Sequence, residues 1–458
     1  MIDSRLMISV SGIRGRVGHG LTPEVVARYA AAFGAWAMAG RTTSTAHSVV
    51  LGRDSRVTGP LFHKVASAAL ESVGADVIDL GLTTTPTLQL AVEHHHAAGG
   101  LGITASHNPI EWNALKFIGP EGLFLSAKEG AQMRALLEQG VPYATWDALG
   151  RTHFDGDAIA RHIQAVLKLP FINVEAIRAR GFRVAFDGCR GAGGAIIPHL
   201  LENLGCEVHE INVACDGHFP RPPEPVAENL GDLEALVKDT GAQIGFATDP
   251  DVDRLAVVSD LGKAIGEDYT LALACRVVLR HRKGHVVTNL STSRVVDDAA
   301  AAFGQRVIRA PVGEVNVALR MREERAVIGG EGNGGVILPE LHLGRDAPLG
   351  VALLLQLLLD DPRPVSQMVA GAPRYVILKE KLDRPDAPLD AVYGALRAAY
   401  PDAEVDTQDG LRLAWPDRWM HVRPSGTEPV VRVIAEAPTR EQAAQLVARG
   451  RELLGTLA

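Results

Sequence analysis

The stretch GAQIGFATDPDVDRLAVVSD carries Asp249, Asp251 and Asp253 at alternate positions between two apolar, strand-like runs. Three carboxylates drawn together repel one another unless a cation sits among them, and hard oxygen ligands suit Mg2+ or Ca2+ rather than zinc. A calcium EF-hand loop needs glycine at its sixth position and glutamate at its twelfth, with helices on either side. Arg254 and Asp260 stand at those positions and strand-like runs flank them, which excludes the EF-hand. A solvated acidic turn is the bland alternative. Turns favour aspartate, but three at this spacing behind a buried strand is unusual. Three protein carboxylates leave Mg2+ with positions for water or a phosphate oxygen, the arrangement that phosphoryl transfer uses.

GITASHNP, residues 102 to 109, supplies a partner for such a site. Ser106 beside His107 suggests a hydrolase nucleophile, yet adjacent side chains in an extended segment point to opposite faces, so His107 is badly placed as its base. If Ser106, on an exposed loop, carries a phosphoryl group, that phosphate is the metal's missing ligand and the serine is a phosphoryl shuttle. Lys116 in SHNPIEWNALKF and Arg14 in SGIRGRVG then balance charge on the moving group and assist proton transfer. HVRPSGTEPVVRV puts Arg423, Ser425, Gly426 and Thr427 in a turn after a strand, where hydroxyls, backbone N–H groups and a guanidinium can converge on a dianionic phosphate. Taken alone, it is equally an ordinary turn with a snorkelling arginine. GGEGNGGVI offers Glu331 and Asn333 to sugar hydroxyls on a glycine-rich loop that lets the backbone approach closely, a weak signal by itself.

These residues need a scaffold, and the chain repeats one. SVVLGRD (48 to 54), FRVAFDG (182 to 188) and GHVVTNL (284 to 290) are β-branched-rich runs, each followed by a turn and an apolar-periodic helical segment. Each helix closes on a glycine, Gly74, Gly205 or Gly304, three residues before a valine that begins another strand. Three βαβ units imply α/β domains with mixed sheets covered by helices. After Asp360 the pattern changes to a smaller α+β region with a strand-like WMHVRPSG and a final helix, EQAAQLVARGRELLGTL. The expected domains are 1–150 with the serine loop, 151–257 with the carboxylate loop, 258–366 with the sugar loop and 367–458 with the phosphate loop.

Composition agrees with a folded multidomain protein: 458 residues, 47% hydrophobic and 22% charged. A formal net charge of −8 disfavours a nucleic-acid or anionic-membrane surface. Cys189, Cys206, Cys215 and Cys275 have neither zinc-site spacing nor the density of a disulfide scaffold, so they read as core thiols of a cytoplasmic protein. No leader or membrane-spanning run is expected. His94, His95 and His96 read as a surface or helix-end feature. The glycines of GCRGAGG fit no nucleotide motif and suggest tight strand-to-helix packing, and Asp268 and Tyr269 read as helix-start residues.

TASHNP, DPDVDR and RPSGTEP, in this order with the sugar loop between the last two, resemble the α-D-phosphohexomutase superfamily over essentially the whole chain. The resemblance implies three related α/β domains and a smaller C-terminal domain around a central active-site cleft. It implies that Ser106 is phosphorylated and contributes to a Mg2+ site with Asp249, Asp251 and Asp253, and that Arg254 contacts the phosphoserine region. Arg14, His107 and Lys116 match residues near the transferring phosphoryl group, with either His107 or Lys116 serving in proton transfer. Glu331 and Asn333 match the sugar-contact loop; Arg423, Ser425, Gly426 and Thr427 match the loop that holds the non-reacting phosphate. The implied reaction interconverts hexose 6-phosphate and hexose 1-phosphate through a hexose 1,6-bisphosphate, which is also the activator, in a monomer or homodimer.

Departures bear on the sugar. Members acting on mannose and glucose phosphates often have Ser where Asn333 stands, followed by Gly-His rather than Gly334 and Gly335; some have His where Glu314 stands and Lys where Ser291 stands. The GEGNGG form is similar to that of enzymes acting on glucosamine phosphate, with mannose and glucose phosphates as the alternative. Two rivals from other classes are a metal-dependent sugar phosphatase and a non-catalytic sugar-phosphate sensor.

Overall fold

The computed structural model describes residues 6–9, 12–39, 47–384, 388–425 and 430–457. The three repeated runs are strands, Ser48–Arg53, Arg183–Asp187 and Val286–Asn289, each with a parallel neighbour on both sides. Gly74, Gly205 and Gly304 take left-handed φ values of 86°, 69° and 67°, where a Cβ is costly. Each turns the chain into the first outer strand: Asp76–Leu82, Glu207–Ile211 and Val307–Ala310.

From that strand a helix crosses to a third parallel strand, Gly99–Ile103, Ile244–Thr248 or Ile328–Glu331. The chain then doubles back antiparallel as Trp112–Ile118, Leu255–Ser259 or Gly335–Ile337. The serine, carboxylate and sugar loops are therefore the same hairpin turn in three successive units, each at the carboxyl end of a parallel strand, where open α/β sheets bind ligands. The fourth unit is a five-stranded antiparallel sheet in which Trp419–Pro424 pairs with Val430–Ala437. Gly426 and Thr427 lie outside the described residues.

Three expected boundaries move. Thr152–Phe154 pairs with Asp76–Leu82, so the first sheet passes residue 150. Leu255–Ser259 crosses the cut at 257, because the return strand of the carboxylate hairpin belongs to its own sheet. Helix Val365–Ala370 spans the cut at 366.

One core runs through the second and third units, with helix Ala347–Asp360 inside it. That helix, APLGVALLLQLLLD, is apolar apart from Gln356 and the terminal Asp360, as a helix buried over most of its length must be. Asp346 caps it by accepting from the Leu349 N–H at 2.8 Å. The fourth unit has its own core and meets the third through polar contacts: Arg412 Nε to the Leu290 carbonyl at 2.9 Å, and the Arg294 N–H to Glu436 at 2.9 Å.

The three histidines end helix Thr85–His95, with His96 left-handed at its C-terminus and His95 bonded to Asp155 at 2.8 Å. Gly191 and Gly194 abut Pro250 and the Val213 carbonyl, so GCRGAGG is a close-packing turn. Among the described residues, no helix is long and apolar enough to cross a membrane.

Candidate active site

The serine loop is held from below by Arg56, whose side chain is fully buried. All five guanidinium N–H groups are used. Nε donates to Asp54 at 3.1 Å, Nη1 to the carbonyls of Pro109 at 2.8 Å and Trp112 at 2.9 Å, and Nη2 to those of Ser106 and Asn108, both at 2.6 Å. Asp54 also accepts from Thr104 Oγ1 at 2.6 Å, and Thr104 Oγ1 accepts from the Ser106 N–H at 3.0 Å. Ser106 sits at φ 47°, so the segment is not extended.

That turn corrects two expectations. Ser106 is only 4% exposed rather than on an exposed loop, and its Oγ comes within 3.4 Å of His107 Nδ1 instead of facing away from it. Oγ donates to Asp249 Oδ2 at 2.7 Å, joining the first unit to the second.

Asp249, Asp251 and Asp253 are buried, with one oxygen of each lying within 4.8 Å of the others. Val252 between them takes φ 67°, unusual for a β-branched residue. Its carbonyl accepts from the Ala347 N–H at 3.2 Å and its side chain is in the core, so the surroundings impose the strained turn. The outer oxygens are occupied. Asp251 Oδ2 accepts from Lys116 Nζ and Thr85 Oγ1, both at 2.6 Å; Asp253 Oδ2 accepts from Arg345 Nη2 at 2.6 Å. Asp251 Oδ1 and Asp253 Oδ1 are buried without a hydrogen-bond partner. Arg254 Nε lies 3.7 Å from Asp253 Oδ1, an ion pair without a hydrogen bond. Buried carboxylate oxygens without hydrogen bonds are costly, and two of them beside a third aspartate fit a hard divalent cation.

Burial, with Asp253 and Asp251 next, pushes the Asp249 carboxyl well above the usual range. Against the cost of burial, Lys116 and the hydrogen bonds around Asp251 hold that carboxyl below it. Burial disfavours the Lys116 charge, but Asp251 and Asp253 outweigh it and keep the ammonium protonated. The Arg254 charge, then burial and Arg14, drive His107 well below its ordinary value, so its imidazole is neutral. Arg14 Nη1 donates to Asn108 at 2.8 Å, and Arg254 pairs with Glu224 at 3.2 Å.

The sugar loop meets the triad through Arg345, which the sequence reading missed. Its guanidinium spans Asp253, Glu314 (3.0 Å) and Glu331 (2.7 Å), three buried acids from three segments. Glu331 Oε1 also accepts from Asn289 at 2.8 Å and the Gly313 N–H at 3.1 Å, and Asn333 Nδ2 reaches Glu331 at 3.4 Å. In the fourth unit, Arg423 Nε donates to Asp409 at 2.8 Å, and Ser425 is buried just beyond the strand Trp419–Pro424. Arg56, Thr85, Arg345 and Asp409 escaped the sequence reading because each acts through residues distant in the chain; only the LGRDSR turn after a repeated strand offered a signal, for Arg56.

Three β-hairpins of α/β units bring Ser106, the three aspartates and the Glu331 loop together, an arrangement suited to phosphoryl transfer, and comparison with known proteins specifies the class. The chain matches all four models of the phosphoglucomutase/phosphomannomutase family: alpha/beta/alpha domain I over residues 5–143, domain II over 160–262, domain III over 266–375 and the C-terminal domain over 376–453. It is 38% identical over 442 residues, 95% of each chain, to a "probable phosphoglucosamine mutase" of Methanopyrus kandleri. It is 37% identical over 450 residues, 97% of each chain, to a phosphoglucomutase/phosphomannomutase of Thermococcus kodakarensis. A crystal structure of a phosphoglucomutase/phosphomannomutase family protein from Burkholderia thailandensis superposes with a TM-score of 0.84 at 27% identity, covering 97% of this chain and 96% of that one. The chain belongs to this family, the α-D-phosphohexomutases, and is a phosphomutase of the isomerase class.

Proposed function

We propose that the protein interconverts glucosamine 6-phosphate and glucosamine 1-phosphate by passing a phosphoryl group through Ser106 and a hexose 1,6-bisphosphate. One observation carries the reading: Ser106 Oγ donates to Asp249 at 2.7 Å, while Asp251 Oδ1 and Asp253 Oδ1 are buried without a hydrogen bond, the latter with only the Arg254 Nε charge 3.7 Å away. Asp249, Asp251, Asp253 and Ser106 would hold Mg2+, which when bound supplies positive charge to the oxygens of the phosphoryl group in flight.

In each half-reaction the bond from phosphorus to one oxygen breaks as that to another forms. When phosphoserine reacts, the sugar hydroxyl loses a proton and Ser106 Oγ gains one. The chain therefore needs a group that takes a proton and a group that gives one, and neutral His107 with protonated Lys116 provides one of each. Arg14 and Arg254 add cationic charge around the serine loop. After the bisphosphate turns round, the phosphate that the substrate brought passes to Ser106 and regenerates phosphoserine, as Ser106 Oγ loses a proton and the freed sugar oxygen gains one. Arg423, Ser425, Gly426 and Thr427 hold the phosphate that is not reacting, and Glu331 and Asn333 meet the sugar hydroxyls. The low exposure of Ser106 supports a shuttle over a phosphatase, because a shielded phosphoserine is kept from water.

Glucosamine is favoured by the GEGNGG loop and by the name of the Methanopyrus kandleri relative. A glucose and mannose phosphate reading is supported by the name of the Thermococcus kodakarensis relative. The four cysteines, all free, fit a reducing, cytoplasmic setting. Rates with glucosamine, N-acetylglucosamine, glucose and mannose 6-phosphates, each with catalytic glucose 1,6-bisphosphate and Mg2+, test the assignment. The highest kcat/KM is expected with glucosamine 6-phosphate. A higher value with glucose or mannose phosphate moves the assignment to that sugar, and inorganic phosphate released in step with substrate loss replaces the shuttle with a phosphatase.

A further inference from the structure

Asp409 lies in the turn before strand Leu411–Ala414 of the fourth unit, outside the residues assigned so far. Its Oδ2 accepts two hydrogen bonds from different units: from Arg423 Nε at 2.8 Å and from the Val312 N–H of the third unit at 3.1 Å. The Asp409 carbonyl accepts from His421 Nε2 at 2.6 Å, and His421 Nδ1 is bonded at 2.9 Å to the Ser291 hydroxyl, again in the third unit. Gly410 follows at φ 75°, packed so closely on Val422 and Arg423 that a Cβ has no room. The turn is thereby fixed against the strand that carries Arg423. On the far side of Val312, the next N–H, that of Gly313, goes to Glu331 at 3.1 Å. Two consecutive backbone N–H groups are thus read by two carboxylates, one beside the phosphate-loop arginine and one in the sugar loop.

We propose that Asp409 is a positioning residue for substrate phosphate: it orients the Arg423 guanidinium through Nε, so that the Nη edge meets the phosphate, and it ties that arginine to the third unit at Val312. The inference rests on the phosphate-holding role proposed above for Arg423. An arginine held at Nε has already lost much of the rotamer freedom that binding would otherwise take from it, and a carboxylate bound to two donors is a firm anchor. Asp409 makes no contact with the aspartate triad, so its effect belongs to binding of phosphate and not of the metal.

The test is a double-mutant cycle with Asp409→Ala and Arg423→Ala, read as KM and kcat on two hexose 6-phosphates, with Mn2+ affinity measured in parallel by electron paramagnetic resonance. Loss of one charge-assisted contact predicts that Asp409→Ala raises KM about tenfold on both sugars, changes kcat less, and leaves Mn2+ affinity unaltered. In the Arg423→Ala background the same substitution should add nothing further, because its route to the phosphate is gone. Asp409→Asn, which keeps the shape and one acceptor, should fall between wild type and Asp409→Ala, and it carries the same cycle should the alanine variant not fold. KM effects that multiply in the double variant would overturn the inference while leaving the role of Arg423 intact. An Arg423→Ala variant with unchanged KM would overturn both.

Discussion

Arg56→Met tests whether the serine loop is held in place from beneath. The substitution removes five hydrogen bonds at once: one to Asp54 and four to the carbonyls of Ser106, Asn108, Pro109 and Trp112. Asp54 is buried, and burial already pushes its carboxyl upward, with Arg56 the main opposing influence. Removing the cation from such a pair costs about 3–5 kcal/mol. Each carbonyl left bare adds about 1–3 kcal/mol before relaxation and water entry. These contributions are not additive, and about 4–6 kcal/mol is the expected loss in urea unfolding. A loop displaced by about 1 Å is expected to cost about a hundredfold in kcat even where the variant remains folded. Arg56→Lys restores a charge near Asp54 but not the planar fork, so it should recover part of the stability and little of the turnover. A loss below about 1 kcal/mol with near-normal kcat would refute the reasoning, since it would mean that Thr104 and the strands alone hold the loop.

Other substitutions separate the remaining parts. Asp251→Asn should weaken Mg2+ binding and activity together, because a neutral amide replaces a charge in the triad and disturbs the Lys116 contact; unchanged metal dependence in a Mg2+ titration would make the loop structural. Glu331 and Asn333 variants should alter preference among sugars, whereas Arg423→Ala should impair all sugars and both directions alike; initial rates on two sugars in both directions decide, and the reverse pattern would exchange the two loops' roles. His421 is fully buried, and burial holds its imidazole down at about 4 against an ordinary 6.5. Because the folded value is the lower one, its contribution is fully present above about pH 6.5 and is lost as pH falls towards 4, an interval worth about 3 kcal/mol at 1.36 kcal/mol per unit. His421→Gln should flatten that part of the stability profile between pH 7.5 and 5; a profile identical to wild type would contradict the assigned protonation state.

Much of this architecture was legible because repeated units repeat their punctuation. The strand, helix, glycine and strand order recurs at Gly74, Gly205 and Gly304, and each of those glycines adopts the left-handed turn that the pattern requires. The carboxylate loop could be read because three aspartates crowded at alternate positions behind a buried strand repel one another and so call for a cation. What escaped was long-range. Arg345 looks like an ordinary residue before a helix cap until the fold sets three acids around it, and Asp409 looks like half of an Asp-Gly turn. The placement of His107 is not legible locally, because adjacent side chains face opposite ways only in extended backbone and Ser106 has a positive φ. Boundaries at 150 and 257 were misplaced because strand partners, not local composition, decide where a sheet ends.

The most direct test of the phosphoryl shuttle follows a labelled phosphate through Ser106. The protein is loaded with 32P from labelled glucose 1,6-bisphosphate, its label located by peptide mass spectrometry, and unlabelled hexose 6-phosphate then added with Mg2+. The label is expected on Ser106, absent in Ser106→Ala, and recovered in hexose bisphosphate and monophosphate with little inorganic phosphate. Full mutase turnover by Ser106→Ala, or label leaving Ser106 chiefly as inorganic phosphate, would contradict it.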